Sequence, residues 1–178
     1  MTANPISEGR VNLNLETTAI AADLLAREGL YLDRKDWKSW LALFCEDVEY
    51  WLPAWRDEYD TTDDPARQVS LIYHASRHGL AERIARIQTR KSVTAMPLPR
   101  TAHFISNVRA SSSADGTIDA TASWQVHAHD ARTQKNHHLF GIGEYRLRRE
   151  ADGAWRLAGK KLILMNDQTP AVIDFYTL

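Results

Sequence analysis

Cysteine is almost absent from this 178-residue chain, and its scarcity excludes several kinds of site. The single thiol, Cys45, cannot form an internal disulfide. A structural zinc site built from two or more thiolates is also excluded. The surrounding sequence, LALFCEDV, is apolar, which favours a buried structural thiol over a nucleophile. So little cysteine fits a reducing compartment.

Long apolar runs and an excess of charge of one sign are also missing. Residues 1–14 contain no run resembling a signal peptide, and no later stretch approaches the roughly 18 apolar residues that a membrane helix needs. The formal net charge of −1 gives no electrostatic reason to expect nucleic acid or an anionic membrane as partner. We expect a cytoplasmic protein with an N-terminal arm over 1–14 and one domain over 15–178.

Hydrophobic periodicity predicts helices in the first part of the chain. A helical apolar stripe runs through 16–32, and Asp33 is placed to cap a second helix, with Asp36 in its first turn. A third helix is predicted from about residue 80. Four bulky side chains of the second helix share one face, which indicates core packing rather than a cofactor site: Trp37, Trp40, Leu41 and Phe44.

Strand-like alternation dominates the second part. The apolar residues of 118–128 alternate without interruption, and neighbouring strands are predicted over 101–113, 138–149 and 155–165, with a bulge at Gly159. The stretch VEYWLPA, residues 48–54, is predicted as an earlier strand, in which Pro53 ends the strand or marks a sheet edge. Helices followed by a bent antiparallel sheet predict an α+β fold in which the helices cover the concave face.

Histidines are the main candidates for chemistry, because no Gly-rich phosphate loop or G-x-S-x-G motif is present. His74 and His78 have the i,i+4 spacing of a helical metal pair, but Ala75 replaces the glutamate of a zincin. His103 starts a strand beside Arg100, so it is a candidate general base in a cone-shaped pocket. The sequence identifies no carboxylate partner for it.

Four further histidines are interpreted as solvated or interface residues at one end of the sheet. His127 and His129 alternate onto the polar face of the long strand, and His137 and His138 are predicted to lie in the turn beyond it.

The stretch DVEYWLPAW, residues 47–55, is followed by the highly charged RDEYDTTDDP. Trp51 and Trp55 are large, rigid anchors, and Arg56 with the acidic loop supplies a charged rim. That combination is typical of a subunit contact.

Three stretches carry a family resemblance: DVEYWLPAW, DDPARQVSLIYHASRHGLAERIARIQT and PRTAHFISNVRA. They resemble the small (beta) subunit of aromatic-ring-hydroxylating dioxygenases, in particular the benzoate, anthranilate and 2-halobenzoate group. The resemblance implies a nuclear-transport-factor-like (cystatin-like) cone and a non-catalytic subunit. It also implies a large (alpha) oxygenase subunit as partner in an α3β3 assembly, self-association as a trimer, and an electron-transfer reductase that acts indirectly.

The resemblance also implies where the cofactors are held and which residues make contacts. The Rieske cluster and the mononuclear iron belong to the large subunit, and this chain holds no cofactor, metal or catalytic residue. Contacts with other subunits are expected near four residues of the second and third stretches: Tyr73, Arg77, Arg100 and His103.

Two classes of function remain open from the sequence. The first is the non-catalytic subunit of an NADH- and O₂-dependent dioxygenase that acts on a benzoate-like aromatic acid such as benzoate, anthranilate, salicylate or a halobenzoate. The second is a cofactor-free dehydratase or isomerase that uses a His/Asp pair in its own cone pocket. Fold alone does not separate them.

Overall fold

Helices fill the first part of the chain and strands the second, as the periodicity predicts. The computed structural model describes residues 14–89, 96–166, 168–169 and 173–178; the predicted N-terminal arm therefore lies almost entirely outside the described residues. The elements are α1 Leu15–Arg34, α2 Trp37–Leu41, β1 Phe44–Pro53, β2 Ser70–His74, α3 Arg77–Gln88, β3 Arg100–Ser112, β4 Ile118–Asp130, β5 Lys135–Arg149, β6 Trp155–Leu164 and a 3₁₀ turn Phe175–Thr177. None of the described helices is both long and apolar enough to span a bilayer.

One six-stranded sheet forms the body of the molecule, in the order β2-β1-β6-β5-β4-β3. Strands β3 to β6 form the predicted antiparallel meander. The expectation of a wholly antiparallel sheet is wrong at one place, because β1 pairs with β6 in parallel. These two strands are far apart in the sequence, so no hairpin turn sets their relative direction. The α+β class and the helices packed on the curved sheet are confirmed.

Strand β4 shows why the sheet has two different faces. Along Ile118–Asp130 each buried residue is followed by a more exposed one, as the alternation predicts. The inner face packs against α1, whose buried side chains include Leu24, Leu25 and Leu32. The outer face of the same sheet is not covered by any described helix.

The second helix differs from its prediction in both its cap and its end. Asp36, not Asp33, is the N-cap and accepts a hydrogen bond from the Ser39 amide at 3.1 Å. Helix α1 continues through Asp33 to Arg34, which leaves Asp33 free to bind elsewhere. Helix α2 ends at Leu41, and Phe44 already belongs to β1.

The aromatic residues around α2 pack in the core, as predicted. The Trp40 ring lies 4.7 Å from the Phe44 ring and stacks on Phe175 at 4.6 Å between centroids. Phe175 belongs to the segment 173–178, which the Arg83 guanidinium fixes by donating to both carboxylate oxygens of Asp174. This segment adds the buried side chains of Phe175, Tyr176 and Leu178 to the core.

Bulges bend the sheet at positions that the sequence marks. The register between β5 and β6 slips beside Gly159, which confirms the predicted bulge. A second bulge interrupts the pairing of β3 with β4 between Ser106 and Arg109. Asn107 has a φ of 54° there, a left-handed conformation that asparagine tolerates better than most residues.

A buried ion pair joins the helical layer to the sheet. Lys160 of β6 donates to a carboxylate oxygen of Glu28 in α1 at 2.6 Å, and both side chains are only 3% exposed. The Trp40 indole N–H donates to the same oxygen at 3.3 Å. The Lys160 ammonium also lies 5.1 Å from the centre of the Tyr50 ring. The pair therefore connects α1, α2, β1 and β6.

Removing one partner of this pair should destabilise the protein strongly. Lys160→Met leaves the Glu28 carboxylate buried without its cation, so the free energy of unfolding should fall by about 3–5 kcal/mol. The double variant Glu28→Gln/Lys160→Met removes both charges and keeps an acceptor for Trp40. Its free energy of unfolding should therefore be at least about 1 kcal/mol higher than that of the single variant Lys160→Met. Urea denaturation of both variants measures the difference, and equal losses would contradict a paired role.

Candidate functional site

An Asp–His dyad lies inside the cone. The last turn of α1 places Asp33 beside the start of β3, where His103 points inward. The Nδ1 atom of His103 lies 2.6 Å from one carboxylate oxygen of Asp33, and the His103 backbone N–H donates to the other at 3.1 Å. This partner is not evident from the sequence, because Asp33 has the position of a helix cap and lies 70 residues away from His103.

The dyad favours the ionised form of Asp33. Burial raises the pKa of this carboxyl, but the hydrogen bonds and charge of His103 outweigh burial, so the pKa lies below its ordinary value of 3.8. The imidazole itself is 3% exposed. The dyad therefore fastens α1 to β3 from within, and the His103 side chain does not reach the surface.

The space beside the dyad is too small for a substrate. The cavity has a volume of about 10 Å³ and lies between α1 and the inner face of the sheet, where it is lined by Glu28, Gly29, Leu32, His103, Ile105, Trp124, Gln125, Val126, Tyr145, Lys160, Leu162 and Leu178. Pockets that bind small molecules usually measure about 300–1,000 Å³. The dehydratase hypothesis thus has its acid–base pair but no room for a substrate in this cavity.

Trp51 lies on the outer face of the sheet, as its phase in β1 predicts, but it is only 7% exposed. Its indole N–H donates to the Ser70 hydroxyl at 2.8 Å, and the Lys161 ammonium covers the ring at 5.3 Å from its centre. Beside it is an open groove of about 570 Å³ with acidic and basic walls, which include Glu49, Arg109 and Glu144. Trp51 forms part of this wall and not a protruding anchor.

Trp55 holds the charged loop against the sheet, and Arg56 closes the loop on itself. Trp55 is 39% exposed, and its indole N–H donates to the Leu164 carbonyl oxygen at 2.6 Å. The exposed Arg56 guanidinium donates to Asp60 at 3.3 Å, while the Arg56 amide donates to the Asp60 carbonyl oxygen at 2.8 Å. The loop presents one face of Trp55 to solvent with charged groups around it.

The remaining predicted contact residues lie at separate places. Tyr73 is exposed on the edge strand β2, opposite Trp51, and burial together with the Glu49 carboxylate raises the pKa of its phenol. Arg77 begins α3 and donates to the Glu46 carboxylate and to the Phe44 carbonyl oxygen. Arg100 is exposed at the start of the other edge strand, β3.

A surface that the sequence analysis missed occupies the outer face of the sheet. We call it the outer apolar patch and define it by four exposed residues that adjacent strands place together: Phe104, Phe140, Ile142 and Met165. Strand β5 has apolar residues on both faces at this point, which is the sequence signal that could have revealed the patch. Leu164, the acceptor for Trp55, precedes Met165 in the chain.

Histidines border the outer apolar patch. The rings of His127 and His138 stack at 4.6 Å between centroids, with Phe104 and Phe140 at their two sides. His137 and His138 were predicted to lie in a turn, but β5 begins earlier and includes them. The turn between β4 and β5 is shorter than predicted, because the two strands stay paired as far as Asp130 and Lys135.

Potential metal ligands are dispersed in the described residues. His74 lies in β2 and His78 in α3, so the two do not share the helical face that their i,i+4 spacing would allow. No group of three or more His, Cys, Asp or Glu side chains within 14–89, 96–166, 168–169 and 173–178 could hold a metal ion. Burial and the Glu150 carboxylate raise the pKa of the Cys45 thiol to about 12, which disfavours the thiolate that a cluster needs.

Asp33→Asn should test the dyad through its pH dependence. At pH 7 the variant should lose about 1.5–3 kcal/mol of unfolding free energy, because a charged hydrogen-bond acceptor is removed. The carboxylate stabilises the fold above its ordinary pKa of 3.8 and ceases to do so as the pH falls through the lower pKa of the folded state. The difference between the wild type and the variant should therefore shrink below about pH 4 in denaturation experiments.

Asp23→Asn is the matched control on the same helix. Asp23 forms an exposed pair with Arg27, so its loss should cost less than about 1 kcal/mol. A pH-independent difference for Asp33→Asn would contradict the assigned dyad.

Comparisons with known proteins agree with this arrangement. The family model described as "Ring hydroxylating beta subunit" matches residues 27–171. The chain is 39% identical to the toluate 1,2-dioxygenase subunit beta of Pseudomonas putida, over 86% of this chain and 93% of the relative. It is 35% identical to the anthranilate 1,2-dioxygenase small subunit of Acinetobacter baylyi, over 92% of this chain and 99% of that relative.

A solved structure gives the same result. The beta subunit of the benzoate 1,2-dioxygenase from Burkholderia mallei superposes with a TM-score of 0.72 at 30% identity, covering 89% of this chain and 95% of that one. The match thus extends over the cone, the outer face and the loop after β1. This chain belongs to the family of ring-hydroxylating dioxygenase beta subunits.

Proposed function

We propose that this chain is the non-catalytic small subunit of the terminal oxygenase of a ring-hydroxylating dioxygenase that acts on a benzoate-like aromatic acid. The observation that carries the proposal is the family match over most of the chain, together with an interior filled by side chains. The relatives are named for toluate, anthranilate, 2-halobenzoate and benzoate, all of which are aromatic carboxylic acids. The reaction is an oxidation, but its chemistry takes place on another chain.

The division of labour follows from the ligands that this chain lacks. A Rieske cluster needs two cysteines and two histidines, and the whole sequence holds one cysteine. That thiol is buried and resists deprotonation. The cluster does not fit this chain, and the part of the chain that the structure describes contains no group of ligands for a mononuclear iron. We assign both to the large subunit. The expected α3β3 stoichiometry and a cytoplasmic location are part of the same proposal.

We assign the contact with the large subunit to the outer apolar patch and the loop beside it. Side chains at paired positions of neighbouring strands form rows across the sheet. The two central rows of the patch contain no charged side chain: one holds Phe104, Gln125 and Phe140, and the other holds Ser123 and Ile142. A neighbouring row carries Arg109, Glu144 and Lys161, which gives a charged border. An uncharged centre with a polar rim is the usual composition of an interface.

The predicted contact residues then divide into two groups. The first group is exposed around the patch and the adjoining loop, and we propose its members as contact residues: Trp55, Arg56 and Tyr73. We also propose Arg77 and Arg100 as contact residues, each at the beginning of its helix or strand. Trp51 is only 7% exposed in the wall of the outer groove, and His103 lies on the inner face of the sheet. We propose that Trp51 shapes the contact surface and that His103 supports it from behind.

The dehydratase alternative has one supporting observation, the Asp33–His103 dyad. It also requires a pocket beside the dyad, and the cavity there holds about 10 Å³. We therefore assign the dyad a structural role.

Charged substitutions in the patch should prevent assembly without unfolding the subunit. Phe140→Asp and Ile142→Asp, made separately, place a carboxylate in the proposed uncharged centre. Recovery of the variant with an affinity-tagged large subunit after co-expression should fall by about tenfold or more, the loss typical of a central interface residue. Thermal melting of the isolated variants checks that the subunit stays folded.

Leu30→Asp is the matched control. Leu30 has the same exposed fraction as Phe140 and Ile142, 42%, but lies on α1 and not on the sheet. It should co-purify as the wild type does. Full recovery of both patch variants would contradict the assigned surface, as would variants that lose only self-association and still bind the large subunit.

A further inference from the structure

Two buried polar atoms at the small cavity have no hydrogen-bond partner among the residues that the structure describes. They are Nε2 of His103 and the indole Nε1 of Trp124. The His103 imidazole and the Trp124 residue are each 3% exposed, and both line the cavity of about 10 Å³. We propose that this cavity is a binding site for a single internal water molecule that bridges His103 and Trp124.

The size of the cavity selects a water molecule. A site needs about 10–15 Å³ of space to hold one water, so this cavity is at the lower limit and has no room for a second molecule. Its walls cannot retreat easily. Gly29 already lies so close to His103 that a Cβ added to the glycine would lie 3.0 Å from the His103 Cβ. Leu178, in the segment that Arg83 fixes through Asp174, closes the cavity from the other side.

The chemistry of the two nitrogens also selects water. The Asp33 carboxylate accepts a hydrogen bond from the Nδ1–H group of His103, so Nε2 is the remaining polar atom of the ring and faces the cavity. The Trp124 indole can only donate. A water molecule can accept from the Trp124 indole and donate to Nε2 of His103. An apolar occupant would leave both nitrogens unsatisfied.

The neighbouring groups do not compete for these nitrogens. The Glu28 carboxylate is engaged by the Lys160 ammonium and the Trp40 indole. The Asp33 carboxylate is engaged by the opposite nitrogen of His103 and by its backbone amide. Buried polar cavities with such unpaired groups are the places where internal water is found, whereas apolar cavities stay dry. The water would complete the hydrogen bonding of the dyad.

Water-selective NOE and ROE spectra of the full chain test this proposal. We expect a dipolar cross-peak between water and the Trp124 indole proton, with the NOE sign of a long-lived complex, and a second cross-peak to the His103 ring. The Trp40 indole is also buried but donates to Glu28, so it is the internal control and its proton should show no cross-peak with water. Trp124→Phe, which keeps a ring but removes the donor, should weaken the His103 cross-peak at least twofold.

A high-resolution crystal structure gives an independent readout that needs no variant. We expect one density peak within hydrogen-bonding distance of both nitrogens, about 2.7–3.2 Å from each. The proposal is overturned if the peak is absent and Trp124 shows no water cross-peak. It is also overturned if His103 or Trp124 turns to a protein partner, or if Trp40 shows the same water contact as Trp124.

Discussion

The buried contact between Glu28 and Lys160 is the constraint on which the rest of this structure depends. It connects the central turn of α1 to β6 in the middle of the sheet, and the Trp40 indole adds α2 to the same carboxylate. Two buried charges are tolerable only when they neutralise each other at short range. The contact therefore fixes how far the helix lies from the sheet, and with it the volume of the cone.

That fixed distance explains why the interior has a structural role. The Asp33–His103 dyad could exchange protons with a substrate if the cone were wider, because its geometry is that of an acid–base pair. Side chains from α1, β4, β6 and the segment 173–178 fill the space instead and leave room for one water. What remains available for recognition is the outer surface of the sheet, where Phe140 and Ile142 lie exposed.

The two faces of the sheet thus have different tasks because strand residues alternate. In β5 the inward residues Leu139, Tyr145 and Leu147 build the core. The outward residues change from apolar Phe140 and Ile142 to charged Glu144 and Arg146 along the same strand. A single strand therefore supplies both the uncharged centre and the charged border of the proposed contact surface.

The sequence alone determined the local periodicities: helix α1, the alternation of β4, the bulge at Gly159 and the absence of ligands for an iron–sulfur cluster, since each depends on neighbouring residues or on counting. Tertiary structure alone decided the pairing of Asp33 with His103, the parallel pairing of β1 with β6, the burial of Trp51 and the assembly of the outer apolar patch. These features join residues that are distant in the chain. The apolar residues on both faces of β5 are a local signal, but packing and strand pairing across the folded core select the residues that each of them meets.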